Sequence, residues 1–230
     1  SKFTPISGGF EAKEKLEPIR VVAEKIFEKS GRKFGVDIEV DSKIPVAAGL
    51  GSSAAVAAAA AMALSRLADL EISKDEIFEI TYEAEQLVHG TPSGIDPAIT
   101  TYGGIILFKK DEKPRRLDVN YVLPLVVGDT GLERCTGDLV ARVRRNREKY
   151  LSIIDPVIEA GGRTAERAVE ALENADLETI GELMNINHSL LSAVGVSHER
   201  LDRLVNAARL AGALGAKLTG AGGGGCMIAL

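Results

Sequence analysis

Apolar positions recur at helical spacing near the start of the chain. From Glu11 to about Lys29 they fall at Leu16, Ile19, Val22, Ala23 and Ile26. Gly31 follows the last of them, so the pattern predicts a helix that ends just before this glycine. Next comes GVDIEVDS, residues 35–42, in which apolar and acidic residues alternate. This alternation is typical of a strand with one solvent-facing side.

Small residues dominate the next segment, IPVAAGLGSSAAVAAAAAMALSRL, residues 44–67. Its alanine run favours a helix by propensity alone, and the glycine-serine turn before it marks the amino end. Two interpretations of that turn stay open at this point. Either Ser52 or Ser53 caps a closely packed helix, or the free N–H groups of the loop and first turn bind an anion.

A second amphipathic pattern covers ISKDEIFEITYEAEQLV, residues 72–88. Ser73 and Glu76 have the spacing of a capping box. The predicted core stripe consists of Ile77, Ile80, Ala84, Leu87 and Val88. HGTPSGIDPAITTYGG, residues 89–104, is rich in turn formers and predicts a loop. GIILFKK and RRLDV, which DEKP separates, predict a hairpin.

The second half of the chain is mostly helical in pattern. A strand near Leu123 precedes predicted helices over 136–160, 163–173, 177–191 and 197–210. The chain closes on GAKLTGAGGGGCMIAL, which predicts a strand, a glycine turn and another strand. We place a domain boundary after residue 121, giving domains over 1–121 and 122–230.

Composition narrows the classes of function. The chain has 230 residues and a net charge of −5, which argues against a nucleic-acid surface. We interpret the basic stretch RVRRNREKY, residues 142–150, as a solvated helix face. Cys135 and Cys226 lie far apart and have no zinc-site spacing, so a reducing, cytoplasmic compartment fits best. The alanine run is too short to span a membrane, and no signal peptide is visible.

Two glycine-rich stretches carry candidate chemistry. GAGGGG, within residues 220–225, formally satisfies GxGxxG, but the predicted strand after it disfavours a dinucleotide site. Such a turn lets the backbone come close either to a ligand phosphate or to a neighbouring helix end. GLGSSA has no Walker lysine, so a phosphate there would need backbone N–H groups, hydroxyls and a metal.

Carboxylates near these loops are candidates for that metal and for catalysis. Glu85 is by default a solvated glutamate on its helix. Asp96 is more informative, because it lies between Gly94 and Pro97 in a loop, where functional residues concentrate. An aspartate beside a turn also commonly accepts backbone N–H bonds. The three histidines, His89, His188 and His198, do not have the spacing of a metal cluster.

Three motifs in order carry a family resemblance: PVAAGLGSSAA, HGTPSGIDPAITTYGG and KLTGAGGGGCMIAL. Together they resemble the second motif, catalytic loop and third motif of the GHMP kinases. Within that superfamily, HGTPSGID most resembles the mevalonate kinases, and GDTG and GELMNINHSLL resemble their archaeal form. The resemblance implies an α+β fold with a ribosomal-S5-like N-terminal domain and a ferredoxin-like C-terminal domain. It also implies a site in the cleft between them.

The resemblance assigns roles residue by residue. It implies ATP bound at the phosphate loop, namely Pro45, Gly49, Leu50, Gly51, Ser52, Ser53 and Ala54. Mg²⁺ is implied at Ser53 and Glu85, and Asp96 is implied as the residue that orients or deprotonates the attacking hydroxyl. Ser93, Gly94 and Thr130 are implied near the substrate. Support for the phosphate loop is implied at the third motif, with Gly220, Ala221, Gly222 and Gly223.

Some features depart from the family pattern. The first motif, with its Gly-Glu-His sequence, is not found in the chain, and the chain ends on an apolar strand. We therefore expect both domains to be incomplete and the chain alone to be nearly inactive. LERC, residues 132–135, replaces the small polar residues expected there.

The expected function is phosphorylation of mevalonate, with ATP and Mg²⁺ as cofactors. Phosphomevalonate or homoserine kinase activity, or a non-catalytic nucleotide-binding fragment, remains the alternative. We expect no nucleic-acid or membrane partner and leave a homodimer open.

Overall fold

The computed structural model describes residues 17–32, 35–44, 50–89, 92–110, 112–132 and 136–230. The expected roles of Pro45 and Gly49, and the predictions about Cys135, lie outside the described residues. The chain divides into two compact units. The first contains the described residues up to Lys43 together with Gly51–Arg116. The second contains Leu117–Leu230 together with Ile44 and Leu50. The predicted boundary after residue 121 stays a prediction.

Within its described residues, the first unit has four helices followed by two short strands, the second of which ends one residue beyond the unit boundary. These are α1 (Glu17–Ser30), α2 (Ser52–Leu67), α3 (Lys74–His89), α4 (Ile95–Tyr102), β1 (Ile105–Leu107) and β2 (Arg115–Leu117). Strands β1 and β2 pair in a two-stranded sheet, as the hairpin prediction expects. The capping box predicted for α3 is confirmed: the Ser73 N–H donates to Glu76 Oε2 at 2.8 Å, and the Glu76 N–H donates to Ser73 Oγ at 3.2 Å.

Helices α1, α2 and α3 share one core. Their buried side chains include Ile19, Val22, Ile26, Ala57, Ala61, Leu64, Ile77 and Ala84. The inward residues of α2 are mostly alanines, which bring little side-chain bulk between the helices. Close packing of α2 therefore follows from its composition, and α2 also contacts α4.

The described part of the second unit has four further helices and three strands. These are β3 (Val126–Asp129), α5 (Thr136–Lys149), α6 (Leu151–Glu173), α7 (Leu177–Ala193), α8 (Glu199–Leu210), β4 (Ala216–Leu218) and β5 (Cys226–Ala229). The sheet order is β3-β5-β4, and β5 runs antiparallel to both neighbours. Leu201 and Val205 of α8 are fully buried. They belong to one hydrophobic core with Leu218 of β4 and Met227 of β5.

Two predictions in the first unit are wrong. Residues 35–43 form no strand with any described part of the chain, although Val36 packs against the first unit's core. An alternating pattern becomes a strand only when a partner supplies ladder hydrogen bonds. Leu87, assigned to the core stripe of α3, is 70% exposed.

The predicted loop over 89–104 contains helix α4, so its interior was also wrongly assigned. Gly94 lies just before the helix, and Pro97 lies in its first turn, where proline costs no hydrogen bond. In the second unit, the helix predicted over 136–160 ends at Lys149, and α6 continues through Gly161 and Gly162.

No helix within the described ranges combines the length and the apolar character needed to cross a bilayer.

Candidate functional site

The amino end of α2 is shaped by a glycine rather than by a side-chain cap. Gly51 precedes the helix with φ 68° and ψ 27°, a left-handed conformation, and no side chain caps the helix there. The Ala55 N–H donates to the Gly51 carbonyl at 2.9 Å, which is the first helical hydrogen bond. The N–H groups of residues 52–54 precede that bond and have no intrahelical acceptors. The capping role considered for Ser52 or Ser53 is therefore wrong.

Asp96 lies directly against this glycine. A Cβ built on Gly51 would be 3.6 Å from the Cβ, Cγ and Oδ1 atoms of Asp96. The carboxylate therefore lies beside the amino end of α2, where the helix dipole favours negative charge. Leu50, just before the turn, is exposed, whereas Ala54 in the first turn is fully buried.

Asp96 itself belongs to the first turn of α4. The Thr100 hydroxyl donates to the Asp96 backbone carbonyl at 2.8 Å, one helical turn away, so this carbonyl has a side-chain partner within α4. Before the helix, the Ile95 N–H donates weakly to Ser93 Oγ at 3.4 Å, and Gly94 is buried. A helical turn holds the Asp96 backbone more firmly than the predicted loop would.

Glu85 is buried on α3, contrary to the default expectation of a solvated side chain. Only 6% of the residue is exposed. Burial, followed by repulsion from Asp96, raises the pKa of Glu85 to about 7. The structure thus brings two carboxylates and the amino end of α2 together within the first unit.

The donor set suits a hard divalent cation. Among the residues that the structure describes, no lysine, arginine or histidine forms an ion pair with Glu85. A buried carboxylate without a cation is costly, and Mg²⁺ takes one or two carboxylates together with substrate phosphates. No described group of three or more His, Cys, Asp or Glu residues could hold a metal by itself.

Sequence reasoning missed Thr81, one helical turn before Glu85. Thr81 is fully buried, and its hydroxyl has no hydrogen-bond partner. Helical side chains lean toward the amino end, so Glu85 covers the turn that carries Thr81. The i, i+4 spacing of a threonine and the candidate metal ligand was the available signal.

Thr130 of the second unit is held by the glycine turn. Its N–H and its Oγ1 both donate to the Gly225 carbonyl, at 2.9 Å and 2.8 Å. Thr130 is buried, and its carbonyl accepts from Arg200 at 3.2 Å. The residue predicted near the substrate is therefore fixed by hydrogen bonds at both its side chain and its backbone.

The glycine turn itself is tightly packed. Gly220, Gly222, Gly223, Gly224 and Gly225 all have positive φ, and Ala221 lies among them. The Gly223 N–H donates to the Val196 carbonyl at 2.8 Å, and a Cβ on Gly222 would come within 2.1 Å of that oxygen. Here the glycines admit neighbouring backbone, which is one of the two open interpretations of the turn. Strand β5 follows it, as predicted.

The two described histidine side chains have structural partners. His188 is buried, and its Nδ1 accepts from the Leu218 N–H at 3.3 Å while its Nε2 lies 3.2 Å from Asp202. His198 caps α8 by accepting from the Arg200 N–H at 3.1 Å. Burial lowers the pKa of His188, which favours its neutral form.

Family models match both halves of the chain. The model described as the GHMP kinases N-terminal domain matches residues 17–104. The model described as the GHMP kinases C-terminal domain matches residues 168–230.

Curated relatives agree with these matches. The chain is 48% identical over 225 residues to the mevalonate kinase of Pyrococcus abyssi, covering 96% of this chain and 67% of that protein. It is 48% identical over 229 residues to the mevalonate kinase of Thermococcus gammatolerans, with the same coverage. It is 39% identical to that of Archaeoglobus fulgidus, covering 93% of this chain and 72% of the relative.

Solved structures give the same picture. The mevalonate kinase of L. major in complex with R-mevalonate superposes with a TM-score of 0.82 at 29% identity, covering 97% of this chain and 70% of that one. The Methanococcus jannaschii mevalonate kinase gives a TM-score of 0.72 at 30% identity, with 96% and 68% covered.

Proposed function

Since the chain belongs to the GHMP kinases, we propose that it transfers the γ-phosphoryl group of ATP to the primary hydroxyl of mevalonate. The α+β GHMP kinase fold expected from the motifs is confirmed. One observation supports the chemistry most directly: Asp96 lies against Gly51, and burial together with repulsion from Asp96 raises the pKa of Glu85. The amino end of α2 and the two carboxylates therefore lie together.

The phosphates of ATP bind at the amino end of α2 in this proposal. The N–H groups of Ser52, Ser53 and Ala54 have no intrahelical acceptors, and the helix dipole adds to their attraction for an anion. Gly51 presents only backbone beside them. This arrangement explains why small residues surround the turn, because phosphate oxygens must approach the main chain closely.

Magnesium binding falls to Ser53 and Glu85. A hydroxyl from the first turn of α2 and a buried carboxylate from α3 are hard oxygen ligands of the kind that Mg²⁺ prefers. When bound, Mg²⁺ would neutralise charge that develops on the transferring phosphoryl group. For that role Glu85 must be ionised.

Asp96 acts on the substrate hydroxyl. Its carboxylate orients the hydroxyl and accepts its proton as the oxygen attacks the γ-phosphorus. A new O–P bond forms, the bond to the β,γ-bridging oxygen breaks, and ADP leaves with that oxygen. The first turn of α4 supplies the fixed position that in-line transfer needs.

Further roles belong to the same proposal. Thr130, with Ser93 and Gly94, contributes to the substrate pocket, and the turn over Gly220–Gly225 supports the phosphate loop. Hydrogen bonding of Thr130 to Gly225 supports a shared role for these two elements. The domain division at 121 and 122, a cytoplasmic location, and the absence of nucleic-acid and membrane partners remain proposals.

A coupled assay of the complete gene product tests the function. ADP release is measured with mevalonate, phosphomevalonate, homoserine and galactose as acceptors, and ³¹P NMR identifies the product. We expect turnover with mevalonate and a phosphomonoester at its primary hydroxyl. Preference for another acceptor would overturn the substrate assignment, whereas nucleotide binding without turnover on any acceptor would overturn the kinase assignment.

A further inference from the structure

Aromatic rings join the helix that carries Glu85 to the helix that carries Asp96. Phe78 and Tyr82, one turn apart on α3, stack with ring centroids 5.9 Å apart and an interplanar angle of 6°. The Phe78 ring also meets Tyr102, the last residue of α4, at 5.8 Å and 32°. Both separations fall in the range of favourable aromatic pairs.

These three rings, the aromatic ladder of Phe78, Tyr82 and Tyr102, also contact the other end of α4 through Tyr82. A Cβ on Gly94, the residue just before α4, would be 3.1 Å from Tyr82 Cε2 and 3.5 Å from Phe108 Cζ. The Tyr82 ring therefore lies on the Gly94 backbone, two residues before Asp96. Tyr82 is also three residues before Glu85, so this ring is close to Glu85 in sequence and contacts the backbone two residues before Asp96.

Hydrogen bonds attach the carboxyl end of α4 to α3. The Tyr102 hydroxyl donates to Asp75 Oδ1 at 2.8 Å, and Asp75 Oδ2 accepts from Lys113 at 2.9 Å. Asp75 lies in the first turn of α3. Helix α4 is thus attached to α3 at both of its ends, by a ring at one and by a ring with a hydrogen bond at the other.

We propose that Tyr82, Phe78 and Tyr102 form an aromatic clamp that sets the position of Asp96 relative to Glu85. These are positioning residues, because their contacts are to α3 and α4 and their effect passes through the two carboxylates. The proposal rests on the proposed function, in which Glu85 binds the metal and Asp96 acts on the hydroxyl. A displacement of about 1 Å between reacting groups can cost roughly 100-fold in rate, so such a clamp has a measurable consequence.

Ordinary core packing would give a different result. Rings that only fill space stabilise the first unit as a whole, and their loss would lower stability without a specific effect on α4. A clamp predicts a local effect at α4 and a selective effect on turnover. Phe27 provides the matched control, because it packs against the core of the first unit, whereas the ring pairs between α3 and α4 are formed by Phe78, Tyr82 and Tyr102.

The first experiment needs no activity. Hydrogen–deuterium exchange is measured over α4, residues 95–102, in the wild type, Tyr82→Leu, Tyr82→Phe and Phe27→Leu. We expect α4 amides to exchange about 10-fold faster in Tyr82→Leu through local opening. Tyr82→Phe keeps the ring and should match the wild type, and Phe27→Leu should leave α4 unchanged. Equal exchange in Tyr82→Leu and Phe27→Leu would overturn the clamp.

The second experiment uses the same variants in the mevalonate assay. Tyr82→Leu should lower kcat roughly 10- to 100-fold with the KM for ATP within about 3-fold of wild type, because the phosphate site is retained. Tyr82→Phe should restore kcat, and Phe27→Leu should retain it below its melting temperature. If Tyr82→Leu does not fold, Phe78→Leu tests the same ladder from its centre.

The two proposals fail in different ways. A wild-type protein that does not phosphorylate mevalonate would overturn the proposed function, and the catalytic role of the clamp with it. An active wild type that loses turnover in Asp96→Asn but keeps it in both Tyr82→Leu and Phe78→Leu would overturn the clamp alone.

Discussion

The Asp96 carboxylate lies close enough to the buried carboxyl of Glu85 to repel its ionised form. Burial is the larger cause and repulsion from Asp96 the second, and together they raise the pKa of Glu85 to about 7. A metal-free protein near neutral pH therefore holds Glu85 partly protonated. The two carboxylates lie on different helices, α3 and α4, so their interaction depends on how those helices pack.

This relationship predicts a pH-dependent stability that Glu85→Gln removes. The folded pKa of about 7 lies above the reference value of 4.5, so the folded state binds more protons between these values. The contribution of Glu85 to the free energy of unfolding then falls as pH rises from about 4.5 to about 7 and is constant on either side. The wild type should lose about 3 kcal/mol relative to Glu85→Gln across this window.

Denaturant unfolding of both proteins in metal-free buffer checks this. The difference in free energy of unfolding is followed from pH 4 to pH 8, so that other titrating groups cancel. A difference that does not change with pH would show that Glu85 titrates at its ordinary pKa.

The chain's patterns predicted the helices better than the site. Periodicity and a capping box located α3, because local hydrogen bonds and one apolar face determine such a helix. The burial of Glu85 was missed, since a single glutamate has no periodic signal and its burial depends on packing of α3 with α2 and α4. Family motifs, rather than spacing, brought Glu85 and Asp96 into one hypothesis.

Glycine and proline content misled the prediction at α4. Gly94 and Pro97 predicted a loop, yet each fits the start of a helix: the glycine before it and the proline in its first turn. Among the described residues, no strand forms over 35–42, because alternation gives no information about a pairing partner. Tertiary contacts, rather than local sequence pattern, determine the conformation both at α4 and over residues 35–42.

Asp96→Asn tests the catalytic role of this carboxylate. Asparagine keeps the shape and most of the acceptor capacity but cannot take up the hydroxyl proton. We expect kcat to fall roughly 100- to 10,000-fold, about 3 to 5 kcal/mol of transition-state stabilisation, with ATP binding retained. A purely structural role predicts a change of about 1 kcal/mol in stability and little change in turnover.

Steady-state kinetics and calorimetric ATP titration measure both effects. Asp118→Asn, at an exposed position, makes the same chemical change as a control and should leave kcat unchanged. A folded Asp96→Asn protein with more than about a tenth of wild-type kcat would remove Asp96 from the catalytic assignment.

Thr81→Val should stabilise the protein. The Thr81 hydroxyl is buried without a partner, and such a group carries a desolvation penalty of about 1 to 3 kcal/mol. Valine has nearly the same shape and removes the hydroxyl, so we expect a gain of about 1 kcal/mol in free energy of unfolding.

Thr164→Val is the matched control for Thr81→Val. The Thr164 hydroxyl donates to the Ala160 carbonyl at 2.7 Å, so the same change there removes a hydrogen bond and should not stabilise. Equal effects of the two substitutions in denaturant unfolding would mean that the Thr81 hydroxyl is satisfied in solution.

Gly51→Ala tests the phosphate site through its backbone. Alanine at φ 68° costs about 1 to 2 kcal/mol of stability, and its Cβ would stand 3.6 Å from Asp96 Oδ1, an ordinary contact that the fold tolerates. The methyl group occupies space between the amino end of α2 and Asp96, where phosphate is proposed to bind.

Gly31→Ala separates backbone strain from obstruction of the phosphate site, because Gly31 has φ 67° and no atom within 4 Å of a built Cβ. Both variants should lose similar stability, but only Gly51→Ala should weaken ATP binding, by about 10-fold or 1.4 kcal/mol in a calorimetric titration. Equal ATP affinity in the two variants would place the phosphates elsewhere.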